Sequence, residues 1–320
     1  MDFVKNNRML SLLGQRGSFG TVLSELAEEN TNVVAMSADL TRTSGLERFA
    51  SEYPDRFVNV GIAEQNAIGV AAGLSDQGRI PFVTTFANFA SLRANEFVRH
   101  FMAYMQCNIK LVGLGSGFAM ELFGNTHYGL EDIAVLRSMP NITILSPSDC
   151  MEVAKCVEFC VRHEGPVYLR LSGKMNNPIV NKKDYDFQVG KGITLSEGKD
   201  AVVYATGSMV SVALKAAKLL EEKNIYIKVI NIHTISPIDR QIIEENKDYK
   251  LIISIEEHSS IGGLGSAVSE ILTNFDHHGR LIRIGTGMEY KKAGKYEYML
   301  EQHGLTVDNL IEQIENNILK

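Results

Sequence analysis

Residues 57–66 read Phe57-Val58-Asn59-Val60-Gly61-Ile62-Ala63-Glu64-Gln65-Asn66. The opening residues suit a strand, Gly61 marks a turn, and Glu64 stands at the mouth of a helix that continues Ala67-Ile68-Gly69-Val70-Ala71-Ala72-Gly73. A strand that turns directly into a helix is the building unit of a parallel sheet covered by helices. Glycine inside a helix costs about 1 kcal/mol relative to alanine, so a helix this rich in small residues implies something packed closely against it. A carboxylate avoids such a crowded, partly desolvated place unless it has a partner or a task. Alternatively, Glu64 simply opposes the helix macrodipole; the segment alone favours neither.

The same alternation extends in both directions. A helix is expected at 16–29 and a strand at 32–37, before the 57–60 strand and the 63–75 helix. A strand at 80–84 precedes a helix at 91–105. Strands at 109–113, 142–145 and 167–171 follow, with helices at 130–138 and 149–162 between them. The pattern lapses between 173 and 199, where Ser172-Gly173-Lys174-Met175-Asn176-Asn177-Pro178 is turn-rich. It resumes with strands at 201–205, 227–230, 251–255 and 281–284. Helices at 209–223, 238–245, 264–273, 293–301 and 306–318 complete the chain. The expected fold is α/β, with two doubly wound sheet domains: residues 1–175, a linker at 176–199, and residues 200–320.

The bulk properties agree with that. A chain of 320 residues suggests about two domains. Its 45% hydrophobic and 22% charged content is that of a globular protein. A net charge of −6 gives no electrostatic support for nonspecific nucleic-acid binding. No apolar run approaches the roughly 20 residues needed to span a bilayer. Residues Met1 to Arg8 show no apolar signal core, so a cytoplasmic location is expected. Cys107, Cys150, Cys156 and Cys160 match no common zinc pattern and are expected to be reduced.

Other residues have chemical potential. Phe86 and Phe89 lie at a strand end, where α/β sheets carry ligand sites. They are either core or a stacking wall for a flat heteroaromatic ring. His127, in Gly124-Asn125-Thr126-His127-Tyr128-Gly129, is a loop histidine suited to hydrogen bonding or proton transfer, or to capping the next helix. Gly262-Gly263-Leu264-Gly265 precedes a helix but lacks the dinucleotide spacing, and is expected to be a tight strand-to-helix turn.

Several motifs occur in one order: Ser37-Ala38-Asp39-Leu40, Gly61-Ile62-Ala63-Glu64-Gln65, Thr84-Thr85-Phe86, Thr126-His127, Glu131-Asp132-Ile133-Ala134-Val135-Leu136-Arg137 and Ile144-Leu145-Ser146-Pro147-Ser148-Asp149. Together they resemble the pyrimidine-binding domain of the transketolases. Ala205-Thr206-Gly207-Ser208 and Ile255-Glu256-Glu257-His258 resemble the family's C-terminal domain. The resemblance implies thiamine diphosphate as cofactor and transfer of a two-carbon ketol unit from a ketose to an aldose. It implies that Glu64 hydrogen-bonds the aminopyrimidine N1′, that Phe86 and Phe89 flank that ring, and that Asp39 lies near the thiazolium. It also implies that His127 contacts the sugar near its reacting carbons, and that Arg16 and Thr43 lie where the family holds a substrate phosphate.

The family binds the diphosphate and its metal through a Gly-Asp-Gly motif, and none occurs here. The chain thus resembles the C-terminal subunit of a split transketolase. The implied partner is an N-terminal transketolase subunit carrying the diphosphate-binding domain and holding Mg2+ or Ca2+, in an α2β2 assembly. Three positions depart from the family. Phe123 replaces an aspartate that reads substrate hydroxyls, Gly115 replaces a phosphate-holding histidine, and a phosphate-binding arginine aligns near Gly173, with Arg170 and Lys174 close by. These put the usual sugar phosphates in question and admit another anion, such as a sulfonate. The alternatives are the β subunit of a 2-oxo acid dehydrogenase, a deoxyxylulose phosphate synthase, and, in another class, a non-catalytic stabilising subunit.

Overall fold

The computed structural model describes residues 3–318, so Met1 and Asp2 of the N-terminal stretch lie outside the described residues. The first sheet is built from β1 (Val33–Ser37), β2 (Phe57–Asn59), β3 (Ile80–Phe86), β4 (Lys110–Ser116), β5 (Thr143–Leu145) and β6 (Val167–Ser172). The second contains β7 (Ile193–Ser196), β8 (Ala201–Ala205), β9 (Ile227–Asn231), β11 (Leu251–Ser259) and β12 (Arg280–Thr286). Every residue of β1, β4, β6 and β8 is buried. Strands covered on both faces read as continuous apolar runs, and helices supply the cover.

The second half of the chain also completes the first sheet. β10 (Thr234–Ser236) leaves the second sheet and pairs antiparallel with β5. The first sheet is ordered β10-β5-β6-β4-β3-β1-β2 and the second β12-β11-β8-β9-β7. β7 pairs antiparallel with β9. Apart from these two pairings, the paired strands run parallel. Buried apolar side chains of both halves form shared clusters: Phe19, Phe82 and Cys156 with Val203 and Ile253, and Met36, Ile68 and Tyr168 with Ile230 and Leu264.

Several details differ from the expected elements, among them a short helix at Glu47–Glu52. The first helix spans Phe3–Glu29 and is interrupted at Gly14, whose φ of 72° and ψ of 175° are not helical. The stretch from 173 to 199 carries one strand, β7, whose partly buried pattern suits a sheet edge. The helix expected at 91–105 is irregular: π-helical turns at Phe89–Arg93 and Val98–Tyr104 flank a short α-helical turn, Asn95–Phe97. Such wide turns change which side chains face the sheet and recur at functional sites. Among the described residues, no helix is long and apolar enough to cross a membrane.

From β1, the chain steps one way to β2 and the other way to β3. In open α/β sheets the crevice beyond the strand C-termini at such a reversal is the usual ligand site. Asp39 follows β1, Phe86 ends β3, and Glu64 follows β2.

Candidate active site

Glu64 is the first residue of the helix Glu64–Asp76 and is only 3% exposed. It does more than oppose the macrodipole. Its Oε1 accepts a hydrogen bond from Arg93 Nη1 at 2.7 Å, and the Arg93 side chain is 42% exposed. The Arg93 guanidinium carbon lies 3.8 Å from the centroid of the Phe89 ring. A buried carboxylate thus gains a charge-assisted donor, and the donor is steadied by an aromatic face.

Phe89 belongs to a wall of rings. Phe86 is buried, and its ring lies 5.7 Å from that of Phe89 in an edge-on arrangement. The half-buried His127 ring stands 5.6 Å from Phe86, 5.3 Å from Phe89 and 5.2 Å from Phe123. His127 Nδ1 pairs with Thr126 Oγ1 at 2.9 Å, which restrains the ring and leaves its other nitrogen for a ligand. Asn88 Nδ2 donates to the Thr126 carbonyl at 2.6 Å, tying the histidine loop to the end of β3. Phe86, Phe89 and His127 come from segments forty residues apart and meet on one surface.

Asp39 is exposed at the end of β1, in the left-handed region with φ 60°. Its N–H donates to Asn59 Oδ1 at 3.1 Å, and Asn59 Nδ2 donates to Asp39 Oδ1 at 3.3 Å. Asn59 Oδ1 also accepts from the Gly61 N–H at 3.0 Å. Asn59 therefore binds Asp39 to the turn that delivers Glu64. Neither Asn59 nor Arg93 was singled out by sequence. The available signal was weak: an asparagine ending an edge strand, and an arginine on a helix expected to be regular.

Arg16 and Thr43 line a pocket of about 420 Å³ with Phe86, Met120, Glu121 and Phe123. Burial pulls the Arg16 guanidinium below its ordinary value, yet arginine remains cationic in proteins. Two of the three departing positions have a backbone that suits glycine. Gly115 has φ +63°, and a Cβ there would lie 2.5 Å from Met120 Sδ. Gly173 is also left-handed, at φ +74°. Phe123 is 65% exposed beside the pocket.

The two nearby cations are committed elsewhere. Arg170 is buried, with Nε 2.8 Å from Asp132 Oδ2 and Nη2 bonded to the carbonyls of Gly129 and Glu257 at 3.0 Å. Lys174 Nζ pairs with Glu121 at 2.5 Å and Glu297 at 3.2 Å. Arg170 therefore serves the core and cannot stand in for a substrate ligand. The glycine-rich turn is likewise filled from within, since Glu256 accepts the N–H groups of Leu264 and Gly265 at 2.7 and 2.8 Å. All four cysteines are free, and burial pushes the Cys150 and Cys160 thiols up to about 12.

A buried carboxylate beside a wall of aromatic rings fits the pyrimidine end of thiamine diphosphate. Among the described residues, no three His, Cys, Asp or Glu side chains are grouped to hold a metal.

Residues 13–177 match the family model for the transketolase pyrimidine binding domain, and residues 190–310 match that for the transketolase C-terminal domain. A putative transketolase C-terminal section from Methanocaldococcus jannaschii is 36% identical over 96% of this chain and 97% of its own length. A 6-deoxy-6-sulfo-D-fructose transketolase subunit from a Clostridium species is 36% identical over 92% of each chain. A solved split-gene transketolase, described as an inactive β4 tetramer, superposes with a TM-score of 0.84 at 37% identity, covering 95% of this chain and 98% of that one. With both domain models matched in order and relatives of the same extent, the chain belongs to the transketolase family, as the pyrimidine-binding and C-terminal section of a split transketolase.

Proposed function

We propose that this chain is the C-terminal subunit of a thiamine-diphosphate-dependent enzyme that moves a two-carbon ketol unit from a ketose to an aldose. The observation that carries the proposal is Glu64, 3% exposed and linked through Arg93 to the Phe89 ring, which stands in one wall with Phe86 and His127. A scaffold has no need to bury a carboxylate at that place. The cofactor and its Mg2+ or Ca2+ are shared with an N-terminal subunit carrying the diphosphate-binding domain, in an α2β2 assembly. The similar split-gene β chain, inactive as a β4 tetramer, supports the need for such a partner.

When bound, thiamine diphosphate supplies an electron sink that lets a carbon–carbon bond of the sugar break and re-form. This chain supplies position and protons. Glu64 exchanges a proton with the pyrimidine N1′. Phe86 and Phe89, which stand edge-on to each other, would hold the ring between a face and an edge and exclude water from it. Asp39, held by Asn59, borders the thiazolium end. His127 gives or takes a proton at a sugar hydroxyl. Arg16 and Thr43 hold the far end of the sugar, and Phe123 closes the pocket against it.

An anion other than phosphate, such as a sulfonate, fits the departures at Phe123, Gly115 and Gly173. The relatives include both a sulfosugar transketolase subunit, at 36% identity, and an apulose-4-phosphate transketolase subunit, at 37%, so this choice rests on the pocket residues.

The test is Glu64→Gln in the assembled enzyme. The amide keeps the shape but cannot take up and give up a proton as the carboxyl group does. Loss of acid–base help alone costs about 10²–10⁴-fold, so turnover falls at least that far while assembly persists. Near-normal turnover would make the chain a stabilising subunit.

A further inference from the structure

Two motifs of the C-terminal domain, Ala205-Thr206-Gly207-Ser208 and Ile255-Glu256-Glu257-His258, have no part in the site described so far. They meet in the structure. Glu257, near the end of β11, is 1% exposed. Its Oε2 accepts hydrogen bonds from the Ser208 hydroxyl and from the Tyr296 hydroxyl, the latter at 2.7 Å. Its Oε1 accepts the backbone N–H of Phe118 at 2.7 Å. Phe118 lies in the other domain, at the start of the loop that carries Phe123 and His127.

That loop is pinched at its neck. The Gly117 N–H donates to the Gly129 carbonyl at 2.8 Å, and the Gly129 N–H returns a bond to Gly117 at 3.2 Å. The Glu257 carboxylate packs directly on this neck. A Cβ on Gly117, which has φ +66°, would lie 2.2 Å from Glu257 Oε1. The opposite side of the neck is held by the same strand. Arg170 Nη2 bridges the Gly129 and Glu257 carbonyls, and the Ser259 N–H donates to the Leu130 carbonyl at 2.8 Å.

We infer that Glu257 is a positioning residue for His127: through Glu257, the C-terminal domain clamps the neck of loop 117–130 and fixes where the histidine meets the sugar. A buried carboxyl group that takes three donors is a rigid anchor, because displacing it would leave buried donors unsatisfied. A misplacement of about 1 Å in a catalytic group can cost 10²-fold, so a clamp far from the chemistry still controls rate. The inference rests on His127 acting on the sugar, as proposed above.

Two readouts separate the clamp from that role. Hydrogen exchange of amides 117–130 is measured in the full chain, and sugar kinetics and thiamine diphosphate affinity in the reconstituted enzyme. Glu257→Ala, Glu257→Gln and Tyr296→Phe are compared. Tyr296→Phe removes a single donor and keeps the ring, so it serves if the alanine variant fails to fold. The amide of Glu257→Gln retains an acceptor for Phe118, so it is the milder change at that site. The expected result is faster exchange in loop 117–130, with kcat/KM for sugars down by roughly ten- to hundredfold in Glu257→Ala. Glu257→Gln recovers part of that loss, and cofactor affinity is unchanged throughout. Unchanged loop exchange would overturn the clamp whatever the enzyme does. Faster exchange with unchanged sugar kinetics, or an equal loss of cofactor affinity, would overturn the positioning role. If the wild-type pair transfers no ketol unit, the proposed function fails, and loop exchange alone decides the clamp.

Discussion

Arg93 joins the buried carboxylate of Glu64 to the aromatic wall: its Nη1 is 2.7 Å from Glu64 Oε1 while its guanidinium carbon lies 3.8 Å from the Phe89 ring centroid. The pair closes the Phe89 face. A ring ligand reaches that face only when the guanidinium moves, and the half-exposed Arg93 side chain has room to do so.

Arg93→Ala is therefore expected to have opposite effects on the free chain and on ligand binding. The free chain loses about 1–3 kcal/mol, because a buried acceptor loses its donor. Thiamine diphosphate binding to the reconstituted enzyme tightens, because the ring face is open beforehand. Thermal denaturation and calorimetric titration measure the two. Weaker binding in the variant makes Arg93 a cofactor ligand rather than a cover.

The Asp132–Arg170 pair predicts a pH dependence. Burial alone pushes the Asp132 carboxyl up, but the Arg170 guanidinium, His258 and the Tyr168 hydroxyl together outweigh it and hold the group below its ordinary 3.8. A depressed folded value contributes stability above the unfolded value, and that contribution is lost as pH falls through the folded one. Asp132→Asn leaves Arg170 buried without a counter-charge and destabilises the chain by about 3–5 kcal/mol near neutrality. The gap between wild type and variant, from denaturant titrations, stays flat above pH 3.8 and narrows below it. A gap that narrows on raising the pH from 5 to 8 contradicts the sign.

Substrate choice is predicted to turn on Arg16, the only basic side chain lining the Arg16–Thr43 pocket among the described residues. A hydrogen bond to a charged group is worth about 1.5–3 kcal/mol, or roughly ten- to a hundredfold at 1.4 kcal/mol per decade. Arg16→Ala lowers kcat/KM by that factor for anionic sugars and spares neutral ones. Xylulose 5-phosphate and ribose 5-phosphate are expected to be poorer than sulfonated sugars. If the standard phosphates give the highest kcat/KM, Phe123, Gly115 and Gly173 have no bearing on specificity.

The strand–helix alternation was legible because buried parallel strands have a plain signature, as in β1 and β4. The meeting of Phe86, Phe89 and His127 was legible only through the family resemblance, since no spacing links residues forty apart. The transfer of β10 to the first sheet was not, because a three-residue strand carries almost no periodic signal. Arg170 looked available by proximity to Gly173. Its fate depends on Asp132, thirty-eight residues away, and an arginine is buried only where such a partner exists. Arg93 was hidden for a related reason. The π-helical turn that aims it at Glu64 has no recognised sequence signature.

The decisive measurement is ketol transfer from a ketose to an aldose, with thiamine diphosphate and Mg2+, by the purified chain alone and after mixing with a subunit carrying the Gly-Asp-Gly motif. The expected result is no transfer by the chain alone and transfer after mixing, lost again with Glu64→Gln. Transfer by the chain without a partner would contradict the split-enzyme account.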